Sequence, residues 1–177
     1  MFLELNLDAP LGGEIKLKNI TFNSCRTKYT FRIGQYTVLE NVKFTEFNCG
    51  DAMRICSDHA LLKGVVIEGR KYPKALFIRP SISTEGGNGQ FSYPDYSLDI
   101  SNFYGEVDIV GVNTDNVKID PDRHVKFKVD RFDGVDWEAL GIIGFSLIKI
   151  ILRRTNNYGA KECIVDIASL EGNTPNI

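Results

Sequence analysis

The chain has 177 residues, 43% of them apolar and 25% charged, with a formal net charge of −2. That length buries a sizeable core in one domain, and the composition is that of an ordinary globular chain rather than a disordered or collagen-like one. A charge so near zero excludes a global field directed at nucleic acid or an anionic membrane, though not a local basic strip.

Residues 1–14, beginning "MFLELNLDAP", carry acids and no basic leader, so they do not read as a secretory signal. They are expected to cap the first coil of an internal repeat that begins at residue 15. "LKNITF" at 17–22 and "LENVKF" at 39–44 share the pattern L-x-N-[IV]-x-F at a spacing of 22 residues. Aligned on the Asn, the column reads Asn19, Asn41, Gly64, Asn102, Asn116. Asn and Gly most easily adopt a left-handed backbone, which a sharp bend between two short strands requires. Stacked Asn side chains can also hydrogen-bond along the ladder.

A second strand comes at a fixed offset. Fourteen residues after Asn19, Asn41 and Gly64 stand Ile33, Ile55 and Ile78, in "FRI", "MRI" and "LFI". "FKV", ending at Val129, lies 13 residues after Asn116. Apolar residues flank an outward position in each triplet, which is strand periodicity. A 22- to 23-residue repeat of short strands resembles a right-handed parallel β-helix of the pectate-lyase-like type, over about residues 15–129. The resemblance implies an all-β architecture of about five coils and points to no particular enzyme. The alternative is an antiparallel β-sandwich in which "IKLKNITF" and "KYTFRI" pair as a hairpin.

The pattern breaks at 80–97, where three glycines and Pro94 mark an inserted loop bearing Phe91, Tyr93 and Tyr96. These aromatics offer a platform for a sugar or a partner, or pack on the stack themselves. "GGNG" is a weak phosphate cradle, lacking a Walker lysine and a following helix. Residues 130–177 are expected to cap the far end, because an open coil exposes core and strand edges. Within them "DWEALGIIGFSLIKIILRR" reads as a helix capped by Asp136, or as a strand returning into "ECIVDIASL". The apolar run at 139–152 is interrupted by Lys149 and too short to span a bilayer.

Cys25, Cys49, Cys56 and Cys163 form no C-x-x-C pair, and His59 and His124 are the only histidines. Neither a metal nor any other cofactor is called for, and reduced buried thiols suit a cytoplasmic protein.

Neighbouring coils stack about 4.8 Å apart, so equivalent outward residues form rows. One row, Lys18–Glu40–Lys63, alternates in sign and reads as surface compensation. The other runs Arg32, Arg54, Phe77, Asp108, Lys128. Stacked Arg32 and Arg54 cost stability unless Asp51, Glu46 or an anionic ligand offsets them. Asp51 and Asp58 flank this strand, and Asp58 adjoins His59, although neighbours on a strand point to opposite faces. Asp120 and Asp122 in "IDPD" read as a turn. No nucleophile with its base is recognisable.

The candidate ligand-binding residues are therefore Arg32, Arg54, Asp51, Asp58, His59, Tyr93 and Tyr96. The leading expectation is a non-enzymatic module for a glycan, an anion or a protein partner, with no nucleic acid or membrane involved. A carbohydrate-active enzyme (lyase or hydrolase) is the alternative, and a self-assembling homo-oligomer the second.

Overall fold

The computed structural model describes residues 5–10, 12–81, 95–140 and 146–168. In chain order the strands are β1 (Leu5–Leu7), β2 (Ile15–Lys18), β3 (Thr21–Asn23), β4 (Phe31–Ile33), β5 (Thr37–Glu40), β6 (Lys43–Thr45), β7 (Met53–Cys56) and β8 (Ala60–Lys63). Next come β9 (Val65–Glu68), β10 (Ala75–Arg79), β11 (Leu98–Asp99), β12 (Glu106–Val110), β13 (Val117–Lys118), β14 (His124–Lys128), helix α1 (Leu147–Asn157) and β15 (Glu162–Asp166). They form three sheets, ordered β1-β4-β7-β10-β12-β15-β14, β13-β11-β9-β6-β3 and β2-β5-β8. The chain visits each sheet once per coil, which makes a parallel β-helix of about four turns.

The repeat is realised residue by residue. Phe31, Met53 and Leu76 lie in register, as do Ile33, Ile55 and Ile78, and all six are buried. Asn19, Asn41 and Gly64 take φ of 54°, 53° and 62°, the left-handed bend expected of them. Asn41 Nδ2 donates to Asn19 Oδ1 at 3.2 Å. No Cβ fits at Gly64, where it would meet Asn41 Oδ1 at 2.7 Å. The sandwich alternative fails: β3 and β4 lie in different sheets, and β3 pairs in parallel with β6.

Four readings need correction. Val65 pairs with Leu98 and Leu98 with Val117, so Ser97, not Asn102, fills the fourth place in the bend column. Ser97 does the work differently: its Oγ accepts the Gly64 N–H at 2.6 Å. Lys128 leaves the outward row, because β15 inserts antiparallel between β12 and β14 and places Val165 beside Asp108. The Ile-rich "LIKIILRRTNN" is a helix and not the alternative strand, it returns into a strand over "ECIVD", and Ser146 rather than Asp136 caps the helix. Asp136 instead accepts from the Ala139 N–H. The Lys18–Glu40 pair closes at 2.6 Å, but Lys63 turns to Asp95.

A main apolar cluster runs along the stack and a smaller one lies under α1. Phe22, Phe31, Phe44 and Phe47 pack ring on ring, with Phe22 stacked on Phe44 at 5.0 Å. Among the described residues no helix is long and apolar enough to cross a membrane.

The cap carries a buried pair. His124 Nε2 lies 3.6 Å from Asp166 Oδ1, beyond hydrogen-bond reach, and neither imidazole nitrogen has a hydrogen-bond partner among the described residues. Asp166 Oδ2 accepts the Val107 N–H. Burial pushes the Asp166 carboxyl up to about 6, against that hydrogen bond and Arg123 and with help from Glu106 and Asp108. Burial, aided by Arg123, pushes the His124 imidazole down, against Asp120.

The two signs oppose. Asp166 binds protons more tightly folded than unfolded, so its stabilisation is present at low pH and lost as pH rises through 6. His124 binds them less tightly folded, so its stabilisation is lost as pH falls below its ordinary value. Below pH 6 the two slopes therefore work against each other. His124→Asn is expected to unmask Asp166. Its unfolding free energy should then fall by about 2 kcal/mol between pH 4 and pH 6. Urea denaturation of both proteins across that range checks this; a variant whose pH profile parallels the parent's contradicts it.

Candidate functional site

The outward row of the seven-stranded sheet is built by strand alternation. Phe31 and Ile33 point inward, so Arg32 points out; the same holds for Arg54 on β7 and Phe77 on β10. Register then places Asn6, Arg32, Arg54, Phe77 and Asp108 side by side across five strands. Arg79 lies two residues beyond Phe77 and on the same face. Arg154 reaches the row from α1.

These residues border a cleft of about 140 Å³ walled by Arg32, Arg54, Phe77, Arg79, Pro80 and Ser81. The Phe77 ring is its floor, with Arg54 Cζ at 5.1 Å and Arg79 Cζ at 4.9 Å from the centroid. Arg79 and Arg154 both bind Asp108, the second at 2.6 Å, and Asp108 is buried beneath them. Asp51 lies 3.7 Å from Arg54 but is 75% exposed, so water screens it and the pair contributes little. Glu46 is committed elsewhere: its carboxylate accepts the N–H groups of Arg70, Lys71 and Tyr72 at 2.6 to 3.3 Å. Arg32 makes no hydrogen bond or ion pair among the described residues.

Four guanidiniums thus share one face with two carboxylates, in a chain whose overall charge is negative. Two like charges at ladder spacing repel by roughly 1 kcal/mol in water, and by several times more where water is excluded. An anion between them turns that repulsion into attraction. Planar guanidinium forks pair with carboxylate or sulfate oxygens through two hydrogen bonds each.

The remaining sequence candidates are spread out. Asp58 is buried at the other end of β7 from Asp51. Its carboxylate accepts from Cys56 Sγ at 2.8 Å and from both the N–H and hydroxyl of Ser81. Burial alone would raise the Asp58 carboxyl, but these hydrogen bonds outweigh it and hold it below the usual range. Burial and the Asp58 carboxylate push the Cys56 thiol up to about 12, so it stays protonated and donates. Asp58 therefore ties the turn after β7 to Ser81, just past β10 in the next coil, and it does touch His59, at 3.5 Å. The alternation argument separating them fails because both lie in a turn, not on a strand.

Tyr96 is corrected from ligand platform to core: it is 3% exposed, alternating inward with Leu98 and Ile100. Phe91 and Tyr93 lie outside the described residues. Asp120 accepts the Asp122 N–H in a local turn, as expected. Asp51, Asp58, Asp120 and Asp122 are not gathered into one groove, as two-carboxylate glycosidase chemistry requires. Among the described residues no three His, Cys, Asp or Glu side chains are placed to hold a metal.

The described residues also form larger clefts. One, of about 570 Å³, is bordered by Asp99, Asp115 and Lys118, which are already paired within the chain. Another, of about 660 Å³, lies beside Tyr36 and His59. Sequence reasoning reached Arg32, Arg54 and Phe77 through register but missed Arg79, which the same period of two would have found, and Arg154. Comparison of the chain with protein-family models, curated proteins and solved structures finds no match.

Proposed function

We propose that the protein is a non-enzymatic binding module whose seven-stranded face holds an anionic ligand, best matched by a carboxylated or sulfated glycan. The observation that carries this reading is Arg32, unpaired among the described residues and in register with Arg54 beside the Phe77 ring. Stability gains nothing from two stacked arginines, whereas recognition of repeated acidic groups does. Arg32 and Arg54 supply cations on two successive coils, at a spacing suited to adjacent units of an extended chain, and Phe77 on the next coil offers an apolar surface for a sugar ring.

The test is retention on sulfated and carboxylated glycan resins. The parent protein is expected to bind at low salt and elute as salt screens the contact. Replacing both residues, Arg32→Ala with Arg54→Ala, should abolish retention while leaving the melting temperature within about 2 °C, since neither side chain is buried. Unchanged retention, or a parent that binds neither resin, overturns the reading.

A further inference from the structure

We propose a second, separate ligand site on the three-stranded sheet, where Glu14, Tyr36 and His59 stack in register to hold one pyranose ring of a neutral saccharide. It does not rest on the arginine face, which lies on another sheet.

Ile15 pairs with Thr37 and Thr37 with Ala60, so the residues just before them occupy the same turn in three successive coils. Backbone bonds tie that turn together: the Ile15 N–H donates to the Tyr36 carbonyl, and the Tyr36 N–H to the His59 carbonyl, each at 3.0 Å. The Tyr36 and His59 rings lie 5.9 Å apart, tilted by 43°. With Glu14 they wall the cleft of about 660 Å³, and Val38 and Leu61 form its apolar floor.

Tyr36 is held at φ 55°, in the left-handed region. That conformation costs a bulky side chain about 1–2 kcal/mol, which Gly or Asn would largely avoid. His59, in the equivalent turn, has no positive φ, so the fold does not demand this one. What the strained residue provides is a ring left 44% exposed at the mouth of the cleft.

The polar groups are arranged to match. The Tyr36 hydroxyl and the Glu14 carboxylate make no hydrogen bond or ion pair among the described residues. His59 Nε2 lies 3.5 Å from the carboxylate of Asp58, which Ser81 and Cys56 hold in turn. A pyranose lays its C–H face on aromatic and aliphatic surface and offers hydroxyls at its edge. Tyr36, Val38 and Leu61 receive the first; the Glu14 carboxylate and the His59 Nδ1 receive the second. Polar groups converging beside an apolar patch, in nearly equal measure, suit a ligand whose own surface is mixed, as a sugar's is. Glu14 opposes an anion, and Lys16, on the next outward position of β2, opposes a cation, so the site suits an uncharged ring.

The experiment monitors the Tyr36 and His59 ring resonances by NMR during addition of cellotriose, chitotriose, xylotriose and maltotriose at millimolar concentration. At least one is expected to shift both rings saturably. Tyr36→Gly, which takes positive φ without cost, should weaken that binding by about tenfold or more while the melting temperature stays level or rises. Arg32→Ala with Arg54→Ala should leave it unchanged, so failure at the arginine face does not affect this result. No shift with any of the four sugars overturns the proposal, as does equal binding by Tyr36→Gly.

Discussion

Truncating Phe44 to alanine is expected to remove about 3–5 kcal/mol of unfolding free energy. Phe44 is fully buried on β6, between the coils above and below. Its ring contacts Phe22 at 5.0 Å, Phe31 at 5.8 Å and Phe47 at 5.5 Å, drawing together the first two coils. In a stacked fold each coil meets only its neighbours, so a void here is not shared with a large surrounding core and the rungs cannot collapse inward to fill it. The loss is comparable with the whole stability of a marginal domain, so Phe44→Leu, which removes less volume, provides a graded second point. Phe22→Ala should cost distinctly less, because Phe22 lies on the edge strand β3 and is only partly buried. Urea denaturation followed by circular dichroism measures all three. A loss below about 1 kcal/mol for Phe44→Ala would show that the aromatic stack does not hold the first coils together.

Replacing Asp108 by alanine is expected to cost about 3 kcal/mol, because it leaves two guanidiniums facing each other with their shared carboxylate gone. The value falls at the low end of the usual range because Arg79 and Arg154 keep 33% and 32% of their side chains in water. Asp108 joins three elements: it sits on β12, binds Arg79 from β10 and binds Arg154 from α1. It is therefore the polar latch between the stack and its cap. Adding Arg154→Met to the alanine variant should restore much of the loss, since only one partly exposed cation then remains, and the double-mutant cycle reads that coupling directly. Equal losses in the single and double variants would contradict the latch. The same substitution leaves the neighbouring cleft more positive, so anion retention should strengthen even as the fold weakens.

The repeat was legible because coil closure imposes it. A bend residue and two inward strands must recur every 22 to 23 residues, and the spacing of Asn19, Asn41 and Gly64 records that demand. Past the inserted loop the frame shifts, and Ser97 serves the bend with a hydroxyl instead of a left-handed backbone, so Asn102 drew the alignment away. β15 is buried on both faces, Ile164 in the main core and Cys163 and Val165 in the smaller one, so it shows no alternation, and nothing local marks its neighbours as antiparallel.

The candidate site divides along the same line. Arg32, Arg54 and Phe77 came from register, whereas Arg154 arrives from a helix whose placement no local pattern encodes. Tyr96 was misread for a physical reason: proximity to a glycine-rich loop masked its alternation with Leu98 and Ile100. Glu14, Tyr36 and His59 share one turn in consecutive coils, but their three unlike side chains leave no repeat to notice.

Calorimetric titration of the protein with an oligouronate, at about 0.01 M and about 0.15 M ionic strength, tests the arginine face most directly. Saturable binding that weakens with salt and vanishes in the Arg32→Ala, Arg54→Ala variant is the predicted result. Binding that persists in that variant, or no binding by the parent protein at the lower ionic strength, would contradict it.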